Sequence, residues 1–250
     1  MSPNSVVYQR QGRVARILLD RPDSGNEVDE TLAQDLRDAC RRAFEDDETY
    51  VVIITGAGEA FSTGTPSPGT PEAMDRLRVA AAIAAIPKPT VAAINGNATG
   101  HGLELALACD LRIAADSAEL ALDQVLDETI PWDGGTQRLP RIVPKAVALE
   151  LVLTGRRVTA GEALSMGLVN DVAPAADLMA RADGLADRLA ASAPIAAAYA
   201  KEALLKGLDV PLEQGLRLEA DLAILLHTTD DRTEGLRAFL EKRPPEFAGR

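Results

Sequence analysis

Apolar positions along the chain follow two spacings, and the points where one gives way to the other mark out its elements. Residues 6–10 and 14–19 are apolar-rich runs around Gln11-Gly12-Arg13 and predict a short hairpin. Residues 21–26, RPDSGN, are turn chemistry, and Asp29 or Thr31 then stands where a helix cap belongs. Leu32, Leu36, Ala39 and Ala43 fall at helical spacing and predict a helix as far as Phe44. The β-branched run at residues 50–55 predicts a strand buried on both faces, ended by Gly56-Ala57-Gly58. Residues 61–71, rich in Ser, Thr, Gly and Pro, predict a loop. Residues 74–86 predict one Ala-rich helix, stopped by Pro87-Lys88-Pro89. Residues 90–94 and 111–115 predict strands with a helix over residues 100–109 between them, an order that implies parallel crossovers. From Thr136 the pattern is almost wholly helical, with segments at 141–153, 160–166, 175–191, 194–208, 211–226 and 230–242 and one short apolar piece at 168–172. The reading is an α/β core followed by helices. A helical tail of this size needs another apolar surface over its faces, and a second subunit supplies one.

Composition narrows the function. A length of 250 residues suits one α/β domain with an appendage. Hydrophobic residues at 46% and charged residues at 26% exclude a mainly disordered chain. The formal net charge is -12 and no basic run occurs, which argues against nucleic acid or an anionic membrane surface as a partner. No apolar stretch is long enough to span a bilayer and residues 1–10 hold no apolar signal core, so a cytoplasmic location is expected. An anionic small molecule stays compatible with this charge, because a helix N-terminus or a local Arg can bind it. The two cysteines, Cys40 and Cys109, read as buried free thiols in a reducing compartment. The two histidines, His101 and His227, lie far apart, so no metal site is expected.

Candidate chemistry gathers in Gly-containing segments. In INGNATGHGLE, residues 94–104, a buried strand enters a Gly-rich turn and then a helix. The first helical N–H groups have no partner inside the helix and carry partial positive charge, so they can hold an anion or an oxyanion. The same pattern also fits a plain strand-to-helix turn. Its order, G-x-x-x-G-x-G, is neither a dinucleotide fingerprint nor a P-loop. Glu104 sits in an otherwise apolar helix, where a carboxylate is either paired or poised as an acid or base. FSTGT at residues 61–65 follows a predicted strand at its carboxyl end, the usual ligand edge of an α/β sheet. IPWDGGTQRLP at residues 130–140 is a third Gly-containing helix entry. The absence of G-x-S-x-G and the two isolated histidines argue against a Ser-His-Asp hydrolase.

These segments together resemble the crotonase (enoyl-CoA hydratase/isomerase) superfamily. FSTGT at 61–65, PKPTVAAING at 87–96, GHGLELALACD at 100–110 and GGTQRLP at 134–140 carry the likeness. DRPD at 20–23, LTG at 153–155, EALSMGLVN at 162–170 and FLEKRPPEF at 239–247 extend it in the right order over nearly the whole chain. The resemblance implies an α/β crotonase-like spiral of ββα units. It implies a core over residues 1–190 and a C-terminal helical region over 191–250 that mediates trimers, often paired as hexamers. The implied substrate is an acyl-CoA thioester, with no further cofactor.

The site residues follow from the resemblance position by position. The oxyanion hole falls on the backbone N–H groups of Thr65 and His101. The position of His101 is usually glycine in the family, and sequence leaves the direction of its side chain open. Of the two glutamates that hold water in hydratases, the first matches Glu104 and the second falls on Gln124, which can orient water but cannot exchange a proton at neutral pH. Asp123, Glu128 and Asp133 are the nearby acids that could stand in. Asp133 lies beside a position where some members carry an acid. Contacts to CoA are implied for Asn26, Glu27, Thr63, Gly64, Pro66, Gly100 and Lys242. Pro66 stands in a stretch that departs from the family's frequent Ala-Gly-Ala-Asp. The function implied is enoyl-CoA hydratase/isomerase chemistry through a thioester enolate, with Glu104 as acid/base. Gln124 shifts weight toward double-bond isomerisation, and a non-catalytic acyl-CoA binder is the alternative from another class.

Overall fold

The computed structural model of the chain describes residues 5–65 and 69–250. β1 (Val6–Gln11) and β2 (Val14–Leu19) form the expected antiparallel hairpin, Val6 opposite Leu19. α1 (Glu30–Glu45) starts at Asp29, whose carboxylate accepts from the Leu32 N–H, and it buries the predicted stripe of Leu32, Leu36, Ala39 and Ala43. β3 (Val51–Gly56) is buried along its whole length. β4 (Ala60–Ser62) lies where the sequence predicts only loop.

Two shorter helices, α2 (Pro71–Leu77) and α3 (Ala80–Ala84), replace the single one expected over 74–86. The break has a cause distant in sequence. The N–H groups of Val79 and Ala80 donate to Asp133 Oδ2 at 2.8 and 2.7 Å, so they are drawn out of any helical ladder. β5 (Thr90–Ile94), β6 (Asn97–Thr99), α4 (His101–Ala108), β7 (Leu111–Ala115) and β8 (Glu119–Ala121) follow. α5 (Gly135–Ile142) and α6 (Lys145–Thr154) divide the helix expected over 141–153. Pro144 separates them: it holds Val143 extended, at φ -115° and ψ 161°. β9 (Val158–Thr159), α7 (Ala160–Ser165), β10 (Asp171–Ala173) and α8 (Leu178–Ala190) complete the compact part. α9 (Pro194–Gly207), α10 (Leu212–Leu226) and α11 (Asp230–Glu241) end the chain.

The strands form two sheets. A six-stranded sheet has the order β1-β2-β3-β5-β7-β10 and is parallel from β2 onward. A four-stranded sheet has the order β4-β6-β8-β9, its first three strands parallel and β9 antiparallel. One repeat generates both: a strand of the large sheet, a strand of the small sheet, then helix, as β3-β4-α2/α3, β5-β6-α4 and β7-β8-α5/α6. That is the ββα repeat the resemblance implies. α8 turns Leu178, Ala182, Ala186 and Ala190 inward, and it packs on β3, β5 and β7.

α9 is tied to this body through Lys201, whose ammonium pairs with Asp110 at 2.7 Å and donates to the carbonyls of Ile86 and Lys88. α10 packs along α9. The last residues return to α11, where buried Asp231 accepts from the N–H groups of Ala248 and Gly249. Cys40 and Cys109 are free and buried, and burial pushes both thiols up to about 12. Among the described residues no helix is long and apolar enough to cross a membrane.

Candidate active site

Because β4, β6 and β8 are parallel neighbours, their carboxyl ends share one edge, with Ser62 opposite Ala98 and Thr99 opposite Ala121. From that edge the chain leaves through Thr63-Gly64-Thr65, through Gly100 into α4, and through Asp123 into a short 3-10 turn, Gln124–Asp127. Two glycines allow the first two paths to touch. A Cβ on Gly102 would lie 2.1 Å from the carbonyl oxygen of Ser62. A Cβ on Gly64, whose φ is +85°, would lie 2.7 Å from the Thr99 oxygen and 3.0 Å from the His101 nitrogen. Neither the Thr65 N–H nor the His101 N–H, the latter at the first turn of α4, is hydrogen-bonded to another described residue. Two unpaired backbone donors therefore stand on adjoining segments, the arrangement an oxyanion needs. They border a cavity of about 320 Å³ lined by Thr63, Thr65, Gly100, His101, Gln124 and Trp132 among others.

Glu104 lies one turn into α4 with none of its surface exposed. Its Oε1 accepts from the N–H groups of Asp133 and Gly135, at 2.8 and 2.7 Å, and its Oε2 accepts from Gln124 Nε2 at 3.0 Å. Burial pushes the Glu104 carboxyl above the usual carboxylate range, and the Gly135 N–H, the neighbouring His101 and the Asp133 N–H only partly oppose this. Gln124 thus touches Glu104 with its amide nitrogen, while its Oε1 is buried without a partner among the described residues. An unsatisfied buried acceptor is costly unless a ligand or water fills the place.

The His101 side chain turns inward. It is 2% exposed, its Nδ1 lies 2.7 Å from Thr65 Oγ1, and its Nε2 lies 3.0 Å from Asp133 Oδ2. The ring packs on Trp132 with centroids 4.4 Å apart. Burial would raise the Asp133 carboxyl, but the hydrogen bonds from His101, Ala80 and Val79 outweigh it and hold the group below the usual carboxylate range. Its Oδ2 takes three structural contacts, from Val79, Ala80 and His101, and Asp133 does not line the cavity, so it braces the site rather than facing the cavity as an acid.

The structure thus brings Thr65, Gly64, Thr63, Gly100, His101, Glu104, Gln124 and Asp133 together. Asn26 contributes differently from a ligand contact. Its buried side chain accepts from the Arg21 N–H and donates to the carbonyls of Ala57 and Ala60, its backbone N–H donates to the Arg21 carbonyl and its own carbonyl accepts from the Ser62 hydroxyl, so it shapes the loop rather than presenting a group to a ligand. Glu27 is half-buried on the same loop, with no side-chain hydrogen bond among the described residues. Lys242 is exposed just beyond α11 and does not line the cavity. Pro66 lies outside the described residues. Of the stand-in acids, Asp123 lines the cavity, whereas Glu128 is exposed and outside it. Sequence reasoning missed Trp132 as a cavity wall, and nothing in its neighbourhood but its size points there. Among the described residues no three His, Cys, Asp or Glu side chains are grouped to hold a metal ion.

Comparison with known proteins agrees with this geometry. The sequence pattern of the family described as enoyl-CoA hydratase/isomerase matches residues 9–250. The chain is 40% identical to (E)-benzylidenesuccinyl-CoA hydratase of Thauera aromatica, over 98% of this chain and 99% of that protein. It is 37% identical to 2,3-dehydroadipyl-CoA hydratase of Escherichia coli (strain K12), over 99% and 100%. The crystal structure of an enoyl-CoA hydratase from Bacillus anthracis superposes with a TM-score of 0.95 at 39% identity, covering 98% of this chain and all of that one. With the ββα spiral, the paired glycine crossings and this likeness over its whole length, the chain belongs to the enoyl-CoA hydratase/isomerase family and has the crotonase fold.

Proposed function

We propose that the protein hydrates a 2-enoyl-CoA thioester. The carbonyl oxygen lies between the N–H groups of Thr65 and His101, which stabilise the negative charge that gathers there as the enolate forms. The water stands beside Gln124. The unpartnered Oε1 of Gln124 accepts one O–H, and Glu104 Oε2 takes the proton from the other as the water oxygen bonds to C3. Glu104 then returns that proton to C2, so the elements of water are added across the double bond and the carboxylate is regenerated. The observation that carries this reading is the buried pair itself: a carboxylate raised by burial, touched by an amide whose oxygen lacks a partner among the described residues. Relatives named for hydration of benzylidenesuccinyl-CoA and dehydroadipyl-CoA support it.

Crotonyl-CoA hydration tests this, followed as loss of the enoyl thioester absorbance. Gln124→Met keeps the side-chain length and removes the amide, and it is expected to slow hydration by about 10–100-fold, part of the usual acid–base contribution. Hydration unchanged in this variant contradicts the water-holding role. A second reading rests on the same residue. Gln124 exchanges no proton, so Glu104 alone can move a proton between C2 and C4 and isomerise a 3-enoyl-CoA. Under that reading, Gln124→Met leaves isomerisation at the wild-type rate.

The reading includes a homotrimer, or a dimer of trimers. Leu204, Leu208, Leu212, Phe239 and Leu240 on or beside α9–α11 are exposed, and apolar side chains at this density on outer helices mark a surface that another chain covers. Light scattering on the purified protein is expected to give a mass of three or six chains, and a monomer at micromolar concentration contradicts it.

A further inference from the structure

His101 places a titratable ring where the resemblance leads one to expect glycine, and nothing in the hydration step uses it. Its hydrogen-bond partners assign it a task. The Thr65 hydroxyl has one hydrogen, and it donates to the Val28 carbonyl at 2.8 Å. The same hydroxyl oxygen lies 2.7 Å from His101 Nδ1, within hydrogen-bond distance. On the other side an ionised carboxylate can only accept, so Nε2–H donates to Asp133 at 3.0 Å. The ring thus bridges the Thr65 hydroxyl and the Asp133 carboxylate, one nitrogen to each. Asp133 Oδ2 in turn holds the N–H groups of Val79 and Ala80, and the Asp133 N–H holds Glu104.

We propose that the His101 side chain is a positioning residue that straps the two oxyanion donors to each other and to the segment that holds Glu104. One end of the strap is the side chain of Thr65, whose own N–H is one donor. Its middle is His101, whose N–H is the other. Its far end is Asp133, whose N–H fixes the carboxylate that moves the proton. The strap thus sets the distance between donor pair and base, the quantity on which polarisation of a bound carbonyl depends. This rests on the thioester reading above.

The test uses the whole protein and butyryl-CoA labelled with 13C at the thioester carbonyl. Bound to the wild type, the carbonyl resonance is expected to move downfield, because two donors polarise it. His101→Phe keeps the ring volume against Trp132 and removes both hydrogen bonds. It is expected to lose most of that downfield shift and to lower kcat for crotonyl-CoA by about 10–100-fold, with KM changed by less than about threefold. Thr65→Val cuts one end of the strap without burying a new cavity and serves where His101→Phe does not fold. Its shift is expected to fall in the same direction and to be restored in Thr65→Ser. A wild-type resonance that does not move on binding, or no binding at all, overturns the thioester reading itself. A wild-type shift retained in full in His101→Phe, or in Thr65→Val, overturns the strap alone.

Discussion

Glu104→Gln is expected to lower kcat for crotonyl-CoA by about 10²–10⁴-fold, the range of a lost general acid–base group, while the protein stays folded. The replacement keeps the shape. Its amide oxygen can still accept from the N–H groups of Asp133 and Gly135, and its NH₂ can donate to Gln124 Oε1, the acceptor left unpartnered in the wild type. Stability follows from the direction of the Glu104 shift. A carboxyl raised in the folded state contributes most below its unfolded value, and that contribution is lost as pH rises through the folded value. At neutral pH the ionised group is a burden on the fold, so Glu104→Gln is expected to melt at or above the wild-type temperature. Activity has the opposite dependence, because the base must be ionised. The acidic limb of kcat/KM is expected above the usual glutamate range and absent from the residual activity of the variant. A variant that retains wild-type turnover removes Glu104 from the chemistry, and one that melts well below wild type contradicts the account of its burial.

Gly64→Ala is expected to act on the other half of the site. The methyl would lie 2.7 Å from the Thr99 oxygen and 3.0 Å from the His101 nitrogen, at φ +85°, where L side chains are strained. Neither neighbour is the end of a flexible side chain, so the 63–65 segment must move off the start of α4. That carries the Thr65 N–H away from the His101 N–H and places carbon in front of the second donor. Loss of one such donor costs ~2.7–4 kcal/mol of barrier stabilisation, so kcat/KM is expected to fall on the order of 10²–10³-fold. The backbone strain of ~1–2 kcal/mol lowers Tm by about 2–8 °C for a chain of this size. Gly161→Ala is the control, since a Cβ there meets nothing within 4 Å and the residue lies in α7. Wild-type kcat/KM in Gly64→Ala would show that the carbonyl is held elsewhere.

Periodicity reached the elements long enough to have a period. α1, β3, β5 and β7 follow from apolar spacing alone, and Asp29 was one of two caps its neighbourhood allowed. The small sheet escaped because β4, β6, β8 and β9 have two or three residues each, too few to show alternation. Its existence came only with the family resemblance, yet its shared edge is what assembles the site. The split between α2 and α3 was illegible for another reason: the carboxylate that draws out the Val79 and Ala80 N–H groups is more than fifty residues away. Glu104 stood out as a charge in an apolar helix, whereas the place of Gln124 could be counted only against the family pattern. The direction of the His101 ring is decided by Thr65 and Asp133, 36 and 32 residues distant, and local sequence does not encode it.

Enolate formation at the shared thioester site, with Glu104 as the base, is common to the hydration and isomerisation readings and can be measured without choosing between them. Butyryl-CoA has no double bond to hydrate or move, but its C2 protons can exchange with solvent if the enolate forms. In deuterated water, proton NMR is expected to show the wild-type protein replacing hydrogen at C2 by deuterium, and Glu104→Gln leaving it in place. Butyryl-CoA bound by the wild type, with C2 exchange no faster than in buffer, would contradict the account and leave a protein that binds acyl-CoA without chemistry.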